Sequence, residues 1–183
     1  RLRKSLFLAG VLALMVAVTP MAGAQTLEED IEASVVSGLA WLAEQQNPDG
    51  SFGDWDEDAH TGLAVLKFED RAIDLGYDPL DSAYEYSDVV QDGLDYVELT
   101  VVSDANGAHW GGVNHEVYST GIVMMALAAS GHPELYGVLL QDALDWIVWA
   151  QADADCGVHF GAWPYGPDGC DSDNSISGYA TPV

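Results

Sequence analysis

Three short stretches concentrate the side chains able to do chemistry. The first holds Asp54, Asp56, Asp58 and His60, the second His109, His115 and Glu116, and the third Asp168, Asp171 and Asp173. Carboxylates and imidazoles suit acid–base work, and two carboxylates facing across an opening suit glycoside cleavage. Asp56 or Asp58 with Glu116 would supply that pair, with Trp55, Trp110 and Trp163 as faces on which sugars stack. The run "DSDNS" from Asp171 to Ser175 alternates oxygen donors as calcium loops do, but it lacks the complete twelve-residue EF-hand pattern. The plainer reading is positional: each stretch precedes a helix, whose partial positive N-terminus favours acids.

The elements that would position these groups form a repeat. Three segments follow one plan: Ser37 to Leu66, Asp92 to Leu127 and Asp142 to Ala180. Each opens on a helix with Leu and then an aromatic two residues on, at Leu39/Trp41, Leu94/Tyr96 and Leu144/Trp146. Each passes through a loop of Gly and aromatics, then enters a second helix at Thr61-Gly62, Thr120-Gly121 or Ser177-Gly178. The aromatics lie 55 and 50 residues apart and the glycines 59 and 57, a similar spacing each time that marks a repeat architecture. Val35, Val36, Leu39 and Leu42 fall at helical spacing, as do Leu140, Leu144, Ile147 and Val148. "GIVMMALAAS" has almost no polar face and predicts a helix buried on most sides; Ser130-Gly131 should end it and Pro133 should begin the next. Strand signal is nearly absent. The expectation is an all-α chain of about three helix hairpins which, stacked around an axis, make an α/α toroid.

Charge narrows the partners. The chain has five Lys+Arg against thirty Asp+Glu. Three of the bases (Arg1, Arg3 and Lys4) head a segment with an apolar run from Leu6 to Val18 and a small-residue site at Ala22-Gly23-Ala24. That pattern predicts a signal peptide over 1–24, with a retained anchor as the alternative. Residues 25–183 then carry two bases, Lys67 and Arg71, against thirty acids, a net charge of −28. Such a surface repels nucleic acid and anionic lipid. Six Trp and eight Tyr argue for a packed core rather than disorder. The acidity reads as halophilic adaptation to a salty exterior, where the Debye length falls to about 3 Å at 1 M. In an exported chain Cys156 and Cys170 are expected to pair. Starting without Met and stopping at "SISGYATPV", where a helix is beginning, the chain also reads as truncated at its C-terminus.

The hairpin loops resemble the QW motif of the terpenoid cyclase and protein prenyltransferase superfamily. The motif reads Gly38, Trp41-Leu42, Gln46, Gly50 and Phe52, and again Ala143, Trp146-Ile147, Gln151, Gly161 and Trp163. The second repeat is degenerate, with Gly93 and Tyr96-Val97 in place but Val101 where Gln belongs. The resemblance implies the toroid fold and a structural role for these residues, the Gln and loop aromatic tying each helix to its neighbour. It also implies a candidate chemistry. Asp171 and Asp173 match the Asp-x-Asp-Asp of class II triterpene cyclases such as squalene–hopene cyclase, with Asn174 departing from it. Asp173 would then be the acid that protonates an alkene or epoxide. Asp168-Gly169-Cys170 and His60-Thr61 resemble fragments of the prenyltransferase zinc set, in reverse chain order, so zinc is disfavoured.

Together these readings predict a secreted or cell-surface binding or structural module with an extracellular ligand, apolar or glycan, and no stable membrane span. Calcium is the one cofactor left open, and the oligomeric state is undetermined. The alternatives are a terpene cyclase-like isomerase or lyase and a polysaccharide-active toroid enzyme. The binding residues expected are Asp56, Asp58, His60, His115 and Glu116, with Asp171 and Asp173 as the catalytic acids of the cyclase alternative.

Overall fold

Capping chemistry sets the limits of each helix. The computed structural model describes residues 26–167 and 169–181; the expected signal peptide over 1–24 and Asp168 lie outside the described residues. Helix α1, Leu27–Ala43, begins at a reciprocal cap in which the Thr26 hydroxyl accepts from Glu29 N–H and Glu29 accepts from Thr26 N–H. Helix α2, Glu57–Leu75, stops at Gly76, whose φ of +79° is open to glycine at no steric cost. Helix α3 spans Ser87–Thr100, and α4, Glu116–Ala129, ends at Ser130-Gly131 as its sequence signalled. Helix α5, Pro133–Trp149, carries its proline in the first turn. A 3-10 helix follows at Ala154–His159, and α6, Asn174–Ala180, completes three consecutive pairs, α1/α2, α3/α4 and α5/α6.

The second helices of the pairs pack in series, α2 on α4 and α4 on α6, with α3 beside α2 and α5 beside α4. Close approach is made by glycine. A Cβ added at Gly62 would lie 2.9 Å from Ile122 Cγ2, and one at Gly121 would lie 2.6 Å from the Tyr179 carbonyl oxygen. One core joins Val65, Phe68, Val90, Leu94, Val97, Trp110, Val123 and Leu127, and a second joins Val117, Trp146, Ile147 and Ile176. Burying side chains of this size is each worth about 1.5–3 kcal/mol relative to exposure. Helix α4 is buried on most sides, as its sequence predicts.

Three expectations need correction. A two-stranded antiparallel ribbon, β1 Val102–Asp104 and β2 Gly107–His109, replaces the coil expected after α3. It falls in the repeat that lacks the Gln, where β-branched Val101 and Val102 lead into a two-residue turn at Ala105-Asn106. The buried stripe of α5 is Ala143, Trp146 and Ile147, while Val148 is exposed. On α1 only Leu39 is buried, and Val35 and Val36 stay in solvent. Cys156 and Cys170 are joined in a disulfide, with Cα atoms 5.0 Å apart. No helix among the described residues is long and apolar enough to cross a membrane.

Candidate functional site

The loops that lead into α2, α4 and α6 share one fastening bond, and two of them share a second. In each, the loop aromatic's backbone N–H donates to the hydroxyl just ahead of the glycine: Phe52 to Thr61 at 2.9 Å, Trp110 to Thr120 at 2.9 Å, and Trp163 to Ser177 at 3.3 Å. Where the aromatic is Trp, its indole N–H donates back to the first helix of its own pair, Trp110 to Val97 O at 2.6 Å and Trp163 to Ile147 O at 2.8 Å. Gln46 donates to Gly50 O and Val89 O, at 3.0 and 2.9 Å, and Gln151 to Gly161 O at 2.6 Å. These residues therefore close hairpins, and Trp110 and Trp163 are not free to stack on a sugar. Trp41 departs from the pattern: it is 62% exposed where Trp146, its counterpart, is 1% exposed. Trp146 packs against His109 of the preceding hairpin, ring centroids 4.6 Å apart, and no described residue plays that part for Trp41.

The fastened loops place the candidate residues at the starts of the three helices. Asp56, His115 and Asp173 are the N-caps of α2, α4 and α6. Only Asp173 caps in the ordinary way: its carboxylate accepts from Ser175 N–H at 2.7 Å and from the Ser175 hydroxyl. Those bonds hold its carboxyl below the usual range, and the residue is exposed. An acid that protonates an alkene needs the opposite, an apolar pocket that keeps its proton on. Asp173 is a helix cap here.

Asp56 and His115 make no capping bond and turn to each other instead. His115 Nδ1 lies 3.1 Å from Asp56 Oδ2, and the Ser119 hydroxyl donates to Asp56 Oδ1 at 3.0 Å. The Asp56 side chain is 6% exposed and the His115 side chain 44% exposed, so the pair runs from a buried carboxylate to an imidazole at the surface. Backbone strain marks the same spot. Asp56, at φ +49°, and Asn114, at φ +70°, are the two non-glycine residues with positive φ among those described, and both border the pair. Such conformations cost about 1–3 kcal/mol each and cluster where a side chain must be aimed. With Nδ1 turned to Asp56, Nε2 is the ring nitrogen left to meet a ligand. Ser119 gives its proton to Asp56, so it is not a nucleophile activated by the imidazole.

Asp58 braces this arrangement. It accepts from the Thr100 hydroxyl at 2.7 Å and from Gly111 N–H at 3.0 Å, tying α2 to the end of α3 and to the loop before α4. Burial pushes its carboxyl up, and the two bonds oppose that push. Two cavities flank His115. One, of about 270 Å³, is lined by Trp55, Asp56, Glu57, Asp58, Val113 and His115. The other, of about 400 Å³, lies across Val113 and is lined by Asn114, Glu116, Tyr165 and Asp171 among others. Glu116 Oε2 is enclosed there with no hydrogen-bond partner, and the Tyr165 ring lies 5.6 Å from that of His115.

The structure thus gathers Asp56, Asp58, His115, Glu116 and Asp171 around one end of the helices. It does not bring His60 there. That ring stands edge-on to Trp55, 4.9 Å away, with Nδ1 enclosed and unpartnered, beside Trp41 and Leu63. No group of three or more His, Cys, Asp or Glu side chains among the described residues is placed to hold a metal ion. Ser119 and Tyr165 escaped the sequence reading: nothing local marks Ser119, and Tyr165 reads as loop spacer until the third loop folds back onto α4 through Val117 N–H to Tyr165 O. Comparison with family models, with curated proteins and with solved structures finds no match to this chain.

Proposed function

We propose that this chain is an exported, acidic module of the α/α-toroid type, related to the terpenoid cyclase and prenyltransferase fold, that binds a hydroxyl-rich ligand such as a glycan beside His115. The observation that carries the reading is the Asp56–His115 pair. A residue placed to cap a helix is held in a left-handed conformation and aims its carboxylate at an imidazole 59 residues away. The lining supports the ligand class. Carboxylates of Glu57, Glu116 and Asp171 accept from hydroxyls and Asp56 holds the His115 ring in place, while Trp55 and Tyr165, 61% and 42% exposed, offer ring faces to a sugar. A cleft this acidic disfavours anionic polysaccharides and gives an isoprenoid little apolar wall.

Titrating neutral oligosaccharides by calorimetry tests this, with Asp56→Asn, Glu116→Gln and Trp55→Ala beside the wild type. Hydrogen bonds to charged groups contribute about 1.5–3 kcal/mol, so each polar change should weaken binding about tenfold or more. Affinity untouched by all three substitutions would refute the site. One further reading shares it: a polysaccharide-active enzyme in which His115 Nε2 or Glu116 acts as base, favoured by the unpartnered Glu116 oxygen. Product release from the same oligosaccharides, lost in His115→Ala, would select that reading over plain binding.

A further inference from the structure

The two cavities beside His115 have a single residue in common. Val113 lines both, and it is 84% exposed and belongs to neither core. It stands at the tip of a turn that His115 N–H closes by donating to Gly112 O at 2.9 Å. Left-handed Asn114 takes the third position of that turn, where Asn is one of the few residues tolerated. The backbone thus holds an apolar side chain up between two acidic hollows, at a place where packing gives it no role.

Each hollow is furnished for one sugar ring. The smaller, of about 270 Å³, offers the face of Trp55 and the carboxylate of Glu57, and the larger, of about 400 Å³, offers Tyr165 with Glu116 and Asp171. Ligand pockets run from about 300 to 1,000 Å³, so each hollow is at the small end of that range and the two together fall well inside it. Their walls are fixed to one another. Val117 N–H donates to Tyr165 O at 3.0 Å, and Gly166 packs so closely that an added Cβ would lie 3.1 Å from Asn114 Cα. The His115 ring belongs to the first hollow and lies 5.6 Å from the Tyr165 ring in the second, so the imidazole stands at the crossing between them.

Resting on the glycan reading of this site, we infer that the hollows are two subsites of one cleft. Its ligand is an oligosaccharide of at least two neutral rings, seated one on either side of Val113. The glycosidic linkage crosses over Val113 beside His115. Val113 sets the minimum length, because its isopropyl group confines a single ring to one side while the linkage, the narrowest part of the chain, clears it. Two joined rings fill both subsites for one loss of translational freedom, whereas a single ring leaves the other subsite to water.

Calorimetry of residues 25–183 reads the outcome, using glucose, galactose, mannose and N-acetylglucosamine, each beside its own disaccharides. For the sugar that binds, the disaccharide should bind about tenfold or more tighter than the monosaccharide. Val113→Trp fills the crossing and should remove that advantage while the monosaccharide still binds; at so exposed a position the fold is kept. Trp55→Ala and Tyr165→Ala, both at exposed rings, should each weaken the disaccharide, and a single ring should respond to only one of them. Equal affinity for one ring and two overturns the inference and leaves the glycan reading standing. So does an advantage that Val113→Trp leaves intact, or a disaccharide that responds to only one aromatic change. Binding of no sugar at either length overturns both.

Discussion

Glu69 is the residue whose behaviour depends most sharply on the packing described. It lies mid-way along α2, fully buried, with neither carboxylate oxygen hydrogen-bonded. Burial pushes its carboxyl from 4.5 up to about 9, with the charge of Asp70 adding to the shift. The folded state therefore holds the proton more tightly than the unfolded chain does. Stability from this group is full below the unfolded value and is lost as the pH rises toward the folded one. At about 1.4 kcal/mol per pH unit once above the unfolded value, the loss between pH 5 and pH 7 is about 2.5 kcal/mol. Glu69→Gln keeps the shape and removes the titration. Urea unfolding followed by Trp fluorescence, at fixed high salt and at pH 5, 6, 7 and 8, should show the wild type falling relative to the variant by that amount. Every other acid is common to both chains, so their general repulsion cancels in the difference. Two stability curves that stay parallel across this range would refute the buried, unpartnered placement of Glu69.

Thr120→Val should cost about 1–3 kcal/mol, because it strands the buried Trp110 N–H. Ser177→Ala should cost less, since Trp163 is only partly buried and its bond is 3.3 Å long; chemical denaturation ranks the two. Cys156→Ser opens a link across a sequence separation of 14 and should lower stability by about 3 kcal/mol, read as a fall in the urea midpoint. His132 bonds Asp78 through Nε2 at 3.0 Å and Glu134 through Nδ1 at 2.7 Å, and both partners raise its pKa above the ordinary histidine value. An NMR titration should place it there, and Asp78→Asn should bring it down; the stability it contributes is present at acid pH and lost as pH rises through the raised value.

Much of the scaffold was legible because its signals are local. Caps, Pro133, Ser130-Gly131 and the apolar run of α4 each act within one turn, and the repeated Gln and Thr/Ser-Gly positions bond as their recurrence suggests. What was hidden depends on distant partners. Glu69 reads as one more surface charge in "KFEDR" until α2 is packed on α3 and α4. Val35 and Val36 have helical spacing, yet spacing cannot say that α1 would have so little to lie against. The site shows the same divide. The sequence put Asp56, His115 and Glu116 near helix starts, and the dipole accounted for them without any contact between them. Only the stacking of α2 on α4 reveals that Asp56 leaves its cap for His115. His60 fell out of the site although it stands four residues after Asp56, because the left-handed Asp56 is outside the helical path of α2 and the His60 ring meets Trp55 rather than the imidazole of His115.

The most direct test of a ligand site beside His115 is an NMR titration of residues 25–183 with neutral oligosaccharides, watching the His imidazole and Trp indole signals. The account predicts saturable shifts at His115 and Trp55, with the Trp110 indole, bonded to Val97 and fully buried, left unmoved. Shifts confined to His60 and Trp41, or none at any concentration, would contradict it.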